Sequence, residues 1–169
     1  RIYNLSVEIK GLTLDPKNTR RHSKLSINEV AQSLNLYGQR KPIVRNRNTG
    51  YIIAGNGTLQ AAKSLGWTHI AVVNVEDNDS KATGFSIADN RTAELSEWDT
   101  DGLQEALQSI EEPMTIPGVD EDWLRDMAVT WGGPINAGEN GEIGTTSSDG
   151  SLLALVDVSI GPPKTEVHK

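Results

Sequence analysis

The stretch Tyr51-Ile52-Ile53-Ala54-Gly55-Asn56-Gly57-Thr58-Leu59-Gln60-Ala61-Ala62-Lys63-Ser64-Leu65-Gly66 changes period halfway along. Its first four residues form a short apolar run of strand-forming types. After Thr58, apolar residues fall at Leu59, Ala61, Ala62 and Leu65, the spacing of one helical face, and Gly66 stops the pattern. Between the two lies the turn Gly55-Asn56-Gly57-Thr58. Glycines there let backbone N–H groups turn inward, and the helix N-terminus adds about half a positive charge, so the turn can hold a phosphate. It is not a Walker P-loop, for the Lys is missing. Nor is it a G-x-G-x-x-G fingerprint, for no third glycine stands at the required offset. A tight strand-to-helix turn with no ligand fits the bare motif equally well.

Upstream, Pro42 and Ile43-Val44-Arg45-Asn46-Arg47 lead into Asn48-Thr49-Gly50, which predicts a hairpin with residues 51–54 as its second arm. Ser26-Ile27-Asn28-Glu29 matches an S-x-x-E capping box for a helix carrying Ile27, Val30, Ala31 and Leu34, with Gly38 ending it in a left-handed turn. Val7, Ile9, Leu12 and Leu14, broken by Gly11, predict one or two short strands, and Asp15-Pro16-Lys17-Asn18 a turn. Downstream, residues 70–75 predict a strand apolar enough to be central. Asp77-Asn78-Asp79-Ser80 caps a helix reaching about Ala93, Asp99-Thr100 opens another with Leu103, Leu107 and Ile110, and Asp120 caps a last one with Trp123, Leu124 and Met127.

Residues 132–151 are Gly, Asn, Ser, Thr and acid, the composition of a linker. Beyond them Leu152-Leu153-Ala154-Leu155-Val156 is an apolar island with nothing nearby to pack on. Together with a first residue that is Arg1 rather than Met, it suggests a fragment that once continued into another domain. At 169 residues there is room for one ordinary domain and a tail. Cysteine is absent, which removes disulfides, thiolate metal sites and cysteine nucleophiles. No apolar run approaches a membrane span, and no basic-then-apolar leader precedes the first strand.

The formal net charge of −7 argues at first against a nucleic-acid partner. Its distribution argues otherwise. Residues 1–69 hold 11 Lys/Arg against 3 Asp/Glu, a balance of +8, and residues 70–169 hold 5 against 20, a balance of −15. Lys17, Arg20, Arg21, His22 and Lys24, with Arg40, Lys41, Arg45 and Arg47, form a basic region suited to an anion. The bland alternative is a solvated face. Asn90-Arg91, near the end of its helix, can hold a phosphate or a base edge, or the Arg can simply answer the helix dipole. His22, His69 and His168 share no metal-ligand spacing, so no metal site is predicted, and Trp98, Trp123 and Trp131 are expected to anchor packing.

In order and spacing, residues 5–95 resemble the ParB/sulfiredoxin superfamily in its ParB-like N-terminal form. The matching pieces are residues 16–21, the helix from Ser26 to Gly38, Pro42-Ile43-Val44, Tyr51-Ile52-Ile53-Ala54-Gly55, Ala61-Ala62-Lys63 through Gly66, and Asn90-Arg91. The resemblance implies a compact α/β (α+β) domain over residues 1–95, with a small mixed sheet and flanking helices. An acidic helical extension over 96–131 and a tail over 132–169 follow. It also implies a nucleotide-phosphate site at Gly55, Asn56, Gly57 and Thr58, supplemented by Arg20, Arg21, Asn90 and Arg91. The ligand would be a nucleoside triphosphate or diphosphate with magnesium. Family members usually carry Arg where Gly57 and Thr58 stand, which removes bidentate phosphate contacts here. Sulfiredoxin chemistry needs a cysteine and is excluded.

The Gly-Asn-Gly-Thr form is similar to ParB-like domains of phage and mobile elements that accompany DNA methyltransferases. Residues 164–169 look like the lead-in to such a domain, although no methyltransferase motif lies in the chain. The function implied is a cytoplasmic, DNA-associated domain, accessory to DNA modification or partition, that binds nucleotide or DNA phosphate. Lys17, Arg20, Arg21, His22, Lys24, Arg40 and Lys41 would meet the anion. One rival is a kinase-like or nuclease-like enzyme with Asp15 or Glu29 as acid/base, Glu29 already being assigned to the cap. Another is a protein-interaction module built on the acidic helices.

Overall fold

The computed structural model describes residues 6–130 and the backbone of residues 136–137, 143–146 and 152–156. The chain divides into two compact units, Arg1–Glu97 and Trp98–Lys169. In the first, β1 (Ser6–Glu8), a 3-10 turn (Ile9–Gly11) and β2 (Thr13–Leu14) precede α1 (Lys24–Tyr37). The hairpin β3 (Ile43–Asn46) and β4 (Tyr51–Ala54) leads into α2 (Asn56–Ser64), β5 (His69–Val75) and α3 (Asp79–Glu94). The five strands form one mixed sheet in the order β1-β5-β3-β4-β2. β3 lies antiparallel to β4 and parallel to β5, with Ile43 opposite Val72 and Asn46 opposite Val75. β1 pairs antiparallel with β5, and β2 parallel with β4. β5 is therefore interior, as its apolar run predicts, while the middle position belongs to β3.

The core forms where the helical stripe of α2 meets the sheet. Leu59, Ala61 and Ala62 are fully buried with Ile43, Ile52 and Val72, and Leu34 of α1 joins them. Each large aliphatic buried this way contributes about 1.5–3 kcal/mol over its exposed state. The small Ala61 and Ala62 let α2 approach closely. Gly66 ends that helix in a Schellman arrangement: its φ is +71°, its N–H donates to the Lys63 carbonyl, and Trp67 N–H reaches Ala62.

The start of α1 differs from the capping box at Ser26. Ser23 is the N-cap, its hydroxyl accepting the Ser26 N–H at 3.0 Å, and the Ile27 N–H already bonds the Ser23 carbonyl. Both serines can cap; beginning at Ser23 satisfies nearly one more turn of backbone groups. Ser26 thus becomes the third helical residue, and Glu29 lies a turn further in. Gly38 closes the helix at φ +70°, its N–H on the Leu34 carbonyl. Asn78 caps α3 by accepting the Lys81 N–H.

In the second unit, α4 (Thr100–Gln108) is capped by Asp99 and α5 (Glu121–Thr130) by Asp120. Trp98 and Trp123 meet edge to face at 6.1 Å, and Leu124 is buried. β6 (Asn136–Ala137), β7 (Ile143–Thr146) and β8 (Leu152–Val156) form an antiparallel sheet in that order. Leu152–Val156 is therefore not the unpartnered strand its neighbourhood predicts. β7, carrying β-branched Ile143, Thr145 and Thr146, pairs with it from inside the stretch whose average composition predicts a linker. Trp131, His168, the rest of residues 131–151 and the lead-in at 164–169 lie outside the described residues.

Gly55 is where the backbone has least latitude. Its φ is +85°, and a Cβ there would stand 2.5 Å from Ile43 Cγ2. Gly66 has a similar φ but open space around it. Gly55→Ala is expected to cost about 3 kcal/mol, strain and overpacking together, against about 1 kcal/mol for Gly66→Ala. Urea unfolding midpoints of the two variants test that ranking.

Candidate functional site

Because α2 starts one residue after β4, the turn is tighter than four loop residues. Gly55 is the N-cap in the left-handed conformation, and Asn56, Gly57 and Thr58 are already the first turn of the helix. The first intrahelical bond is Leu59 N–H to the Gly55 carbonyl. Among the described residues no protein group accepts the N–H of Asn56, Gly57 or Thr58. Those three donors carry the positive end of the helix dipole.

They border a cavity of about 220 Å³. Ile53 and Ala54 of β4 form its floor beside residues 55–58; Asn18, Arg20 and His22 of the β2–α1 loop, Val30 of α1, and Ser86, Asp89 and Asn90 of α3 complete it. Of the residues predicted to bind phosphate, Gly55, Asn56, Gly57, Thr58, Asn90, Arg20 and His22 therefore come together. Asp15, Glu29, Lys17, Arg21, Lys24, Arg40, Lys41 and Arg91 do not line this cavity. Asn18, Ser86 and Asp89 were missed. Ser86, Asp89 and Asn90 stand at i, i+3 and i+4, so the helical period of α3 places them on one face, a signal present in the sequence.

Side-chain bonds show which of these groups are structural. Asn56 is 5% exposed, accepts the Asp15 N–H at 3.2 Å and donates to the Ile52 carbonyl at 2.9 Å. It moors the loop to the strand-to-helix junction, so its backbone N–H, not its amide side chain, is left without a protein partner among the described residues. The Asp15 carboxylate accepts the Lys17 N–H at 2.8 Å, and Asn18 closes on the backbone of Arg20 through both ends of its amide. The loop thus holds Arg20 in place. Asn90 donates to the Ser86 carbonyl at 2.7 Å and accepts from Arg20 at 3.4 Å. Arg20 also pairs with Glu94 at 3.0 Å, and Arg91 shares that carboxylate at 3.5 Å. At position 57, the His22 ring lies so close that a Cβ would stand 2.8 Å from its Cε1.

The basic region does not fold into one patch. Lys17 pairs with Asp79, Arg20 with Glu94 and Arg47 with Glu76, so acids of the β5–α3 segment neutralise part of it. The Arg45 Nε is buried beside Asn74, its neighbour across the β3–β5 pair. Arg21 and Lys24 stand at the start of α1, and Arg40 and Lys41 beyond its end, about 20 Å away along the axis. Among the described residues these four have no acidic partner. No group of three or more His, Asp or Glu side chains among them is placed to hold a metal ion, and no helix is long and apolar enough to cross a membrane.

The architecture matches that of a C-terminally truncated chromosome-partitioning protein ParB from Caulobacter crescentus complexed with CTP-gamma-S. The TM-score is 0.60 at 18% identity, covering 76% of this chain and 78% of that one. This is a ParB-N-like fold. Two further structures are similar at lower TM-scores: a Pnob8-like ParB-N domain (0.46, 21% identity, 87% of this chain and 55% of that one) and the Caulobacter ParB complexed to the centromeric parS site (0.43, 19% identity, 74% and 71%). No family model matches the sequence, and no curated protein is detectably similar to it.

Asn56→Ala removes a buried donor and a buried acceptor and is expected to cost about 2–3 kcal/mol. Glu94→Gln breaks a half-exposed ion pair and is expected to cost less than about 1 kcal/mol. Chemical denaturation of both variants distinguishes the structural residue from the surface one.

Proposed function

We propose that this chain is a nucleotide-binding ParB-like domain that works beside DNA, with the phosphate end of the nucleotide held at the N-terminus of α2. The observation that carries this is the convergence of three unshared N–H groups with Arg20 and Asn90 on one polar cavity. Backbone donors in such a place need no rearrangement to meet an anion, and an Arg at the rim adds a charge-assisted bond. The nucleotide analogue carried by the Caulobacter protein of the same fold supports the ligand class. If magnesium accompanies the nucleotide, the Asp89 carboxylate is the charged oxygen donor in the cavity lining, with the Thr58 and Ser86 hydroxyls and the Asn90 amide oxygen as neutral ones, beside the phosphate itself and water. Asp15 and Glu29 do not line the cavity, so neither serves an enzymatic reading there; the side chains in the lining that could act as acid or base are Asp89 and His22.

The DNA half of the proposal rests on Arg21, Lys24, Arg40 and Lys41, four cations without an acidic partner among the described residues. Their separation along α1 suits two contacts on a phosphate backbone better than one pocket. A DNA methyltransferase, linked or separate, is the partner class that the sequence resemblance implies.

A panel of nucleoside mono-, di- and triphosphates in a thermal-unfolding assay tests the ligand. A nucleotide present at about a hundred times its Kd stabilises by about 2.7 kcal/mol and raises the midpoint. Arg20→Ala is expected to weaken that nucleotide about tenfold. For DNA, log affinity is expected to fall linearly with log salt concentration, with a slope reduced by about one for each of Arg21→Ala and Lys41→Ala. A midpoint indifferent to every nucleotide would remove the ligand reading, and a flat salt profile the DNA reading.

A further inference from the structure

The cavity holds one titratable ring that nothing else in the fold uses. His22 lines it, is half-buried, and makes no hydrogen bond among the described residues. Its ring lies against position 57, in the first turn of α2, where the free N–H groups point. Gly57 makes this approach possible, since a Cβ would lie 2.8–3.1 Å from three atoms of the ring. We propose that His22 is the switchable cation of this site: protonated, it joins Arg20 and the α2 N–H groups in binding a phosphate or sulfate dianion, and deprotonated, it releases much of the affinity. This rests on the α2 phosphate site and specifies how it is regulated.

The surrounding charges make one extra proton matter. On its own loop His22 has Arg20, with Arg21 and Lys24 outside the cavity. α2 brings no charged side chain to this end, and α1 brings Val30. From α3 comes the Asp89 carboxylate, and behind Arg20 stand Glu94 and Arg91. The Arg20 charge is already shared with Glu94, and Asp89 opposes an incoming anion. A neutral imidazole leaves the cavity with little net attraction. An imidazolium supplies both a charge and an N–H donor. A protonated ring carries that charge and a neutral one does not, so affinity should fall as pH rises.

Inorganic sulfate is the suitable probe, because it remains a dianion throughout the titration whereas a phosphate monoester changes its own charge near pH 6. Calorimetric titration of the full chain with sulfate at constant ionic strength is expected to show affinity falling about tenfold from pH 5.5 to 8. His22→Gln should flatten the profile near the high-pH value of the parent chain. Arg20→Ala should weaken binding at every pH yet keep the inflection. A parent profile that is flat, or a His22→Gln profile with the same inflection, overturns the switch while the phosphate site stands. If neither sulfate nor any nucleotide binds at any pH, both readings fall. NMR titration of the His22 ring supplies a second readout: its protonation midpoint should move up when sulfate is added, and an unmoved midpoint counts against the proposal.

Discussion

The close approach of Gly55 to Ile43 fixes where everything else can go. With 2.5 Å between Ile43 Cγ2 and the place a Cβ would take, the chain can turn from β4 into α2 without a loop. A helix that begins there lays Leu59, Ala61 and Ala62 on the sheet and leaves its first N–H groups at the sheet's end. The core and the cavity are two consequences of one junction. Asn56 then ties the β2–α1 loop to the junction through Asp15, and the loop's own bonds from Asn18 set Arg20 at the rim.

Net charge tells less than the pairing of charges. The division at residue 69 separates +8 from −15, but the fold does not respect it. The unit Arg1–Glu97 holds 13 Lys/Arg and 9 Asp/Glu, a balance of +4, because the segment from Glu76 to Glu97 folds back onto the basic half. Three of the predicted anion-binding cations meet acids this way. Each pair is exposed enough that salt and solvent leave it worth at most about 1 kcal/mol, so a polyanion can exchange for the carboxylate at little cost. These pairs reduce the resting field of the face without removing it as a place to bind.

Much of the fold was legible in the sequence, since it depends on local signals. The hairpin around Asn48-Thr49-Gly50, the stripe Leu59-Ala61-Ala62-Leu65, the stops at Gly38 and Gly66, and the caps Asn78, Asp99 and Asp120 are all written in neighbouring residues. Ser23 against Ser26 shows the limit: two residues satisfy the same local rule, and backbone satisfaction decides. β7 shows another, since three strand-forming residues vanish inside a twenty-residue average. The candidate site was legible in its backbone, Gly55 to Thr58, and less so in its side chains. That Asn56 is moored to Asp15, or that Arg20 turns to Glu94, depends on contacts 41 and 74 residues apart in the chain.

Position 57 joins these threads. A glycine in the second residue of a helix costs about 1 kcal/mol relative to alanine, and an arginine there would bring its own cation to a phosphate. This chain has glycine and sets a histidine ring against it. An arginine holds its charge at every physiological pH and would act from the helix itself. The ring stands close to the α2 N-terminus and ties the cavity to the loop that carries Arg20. The polar ring beside position 57 is thus supplied by the β2–α1 loop and not by the helix itself.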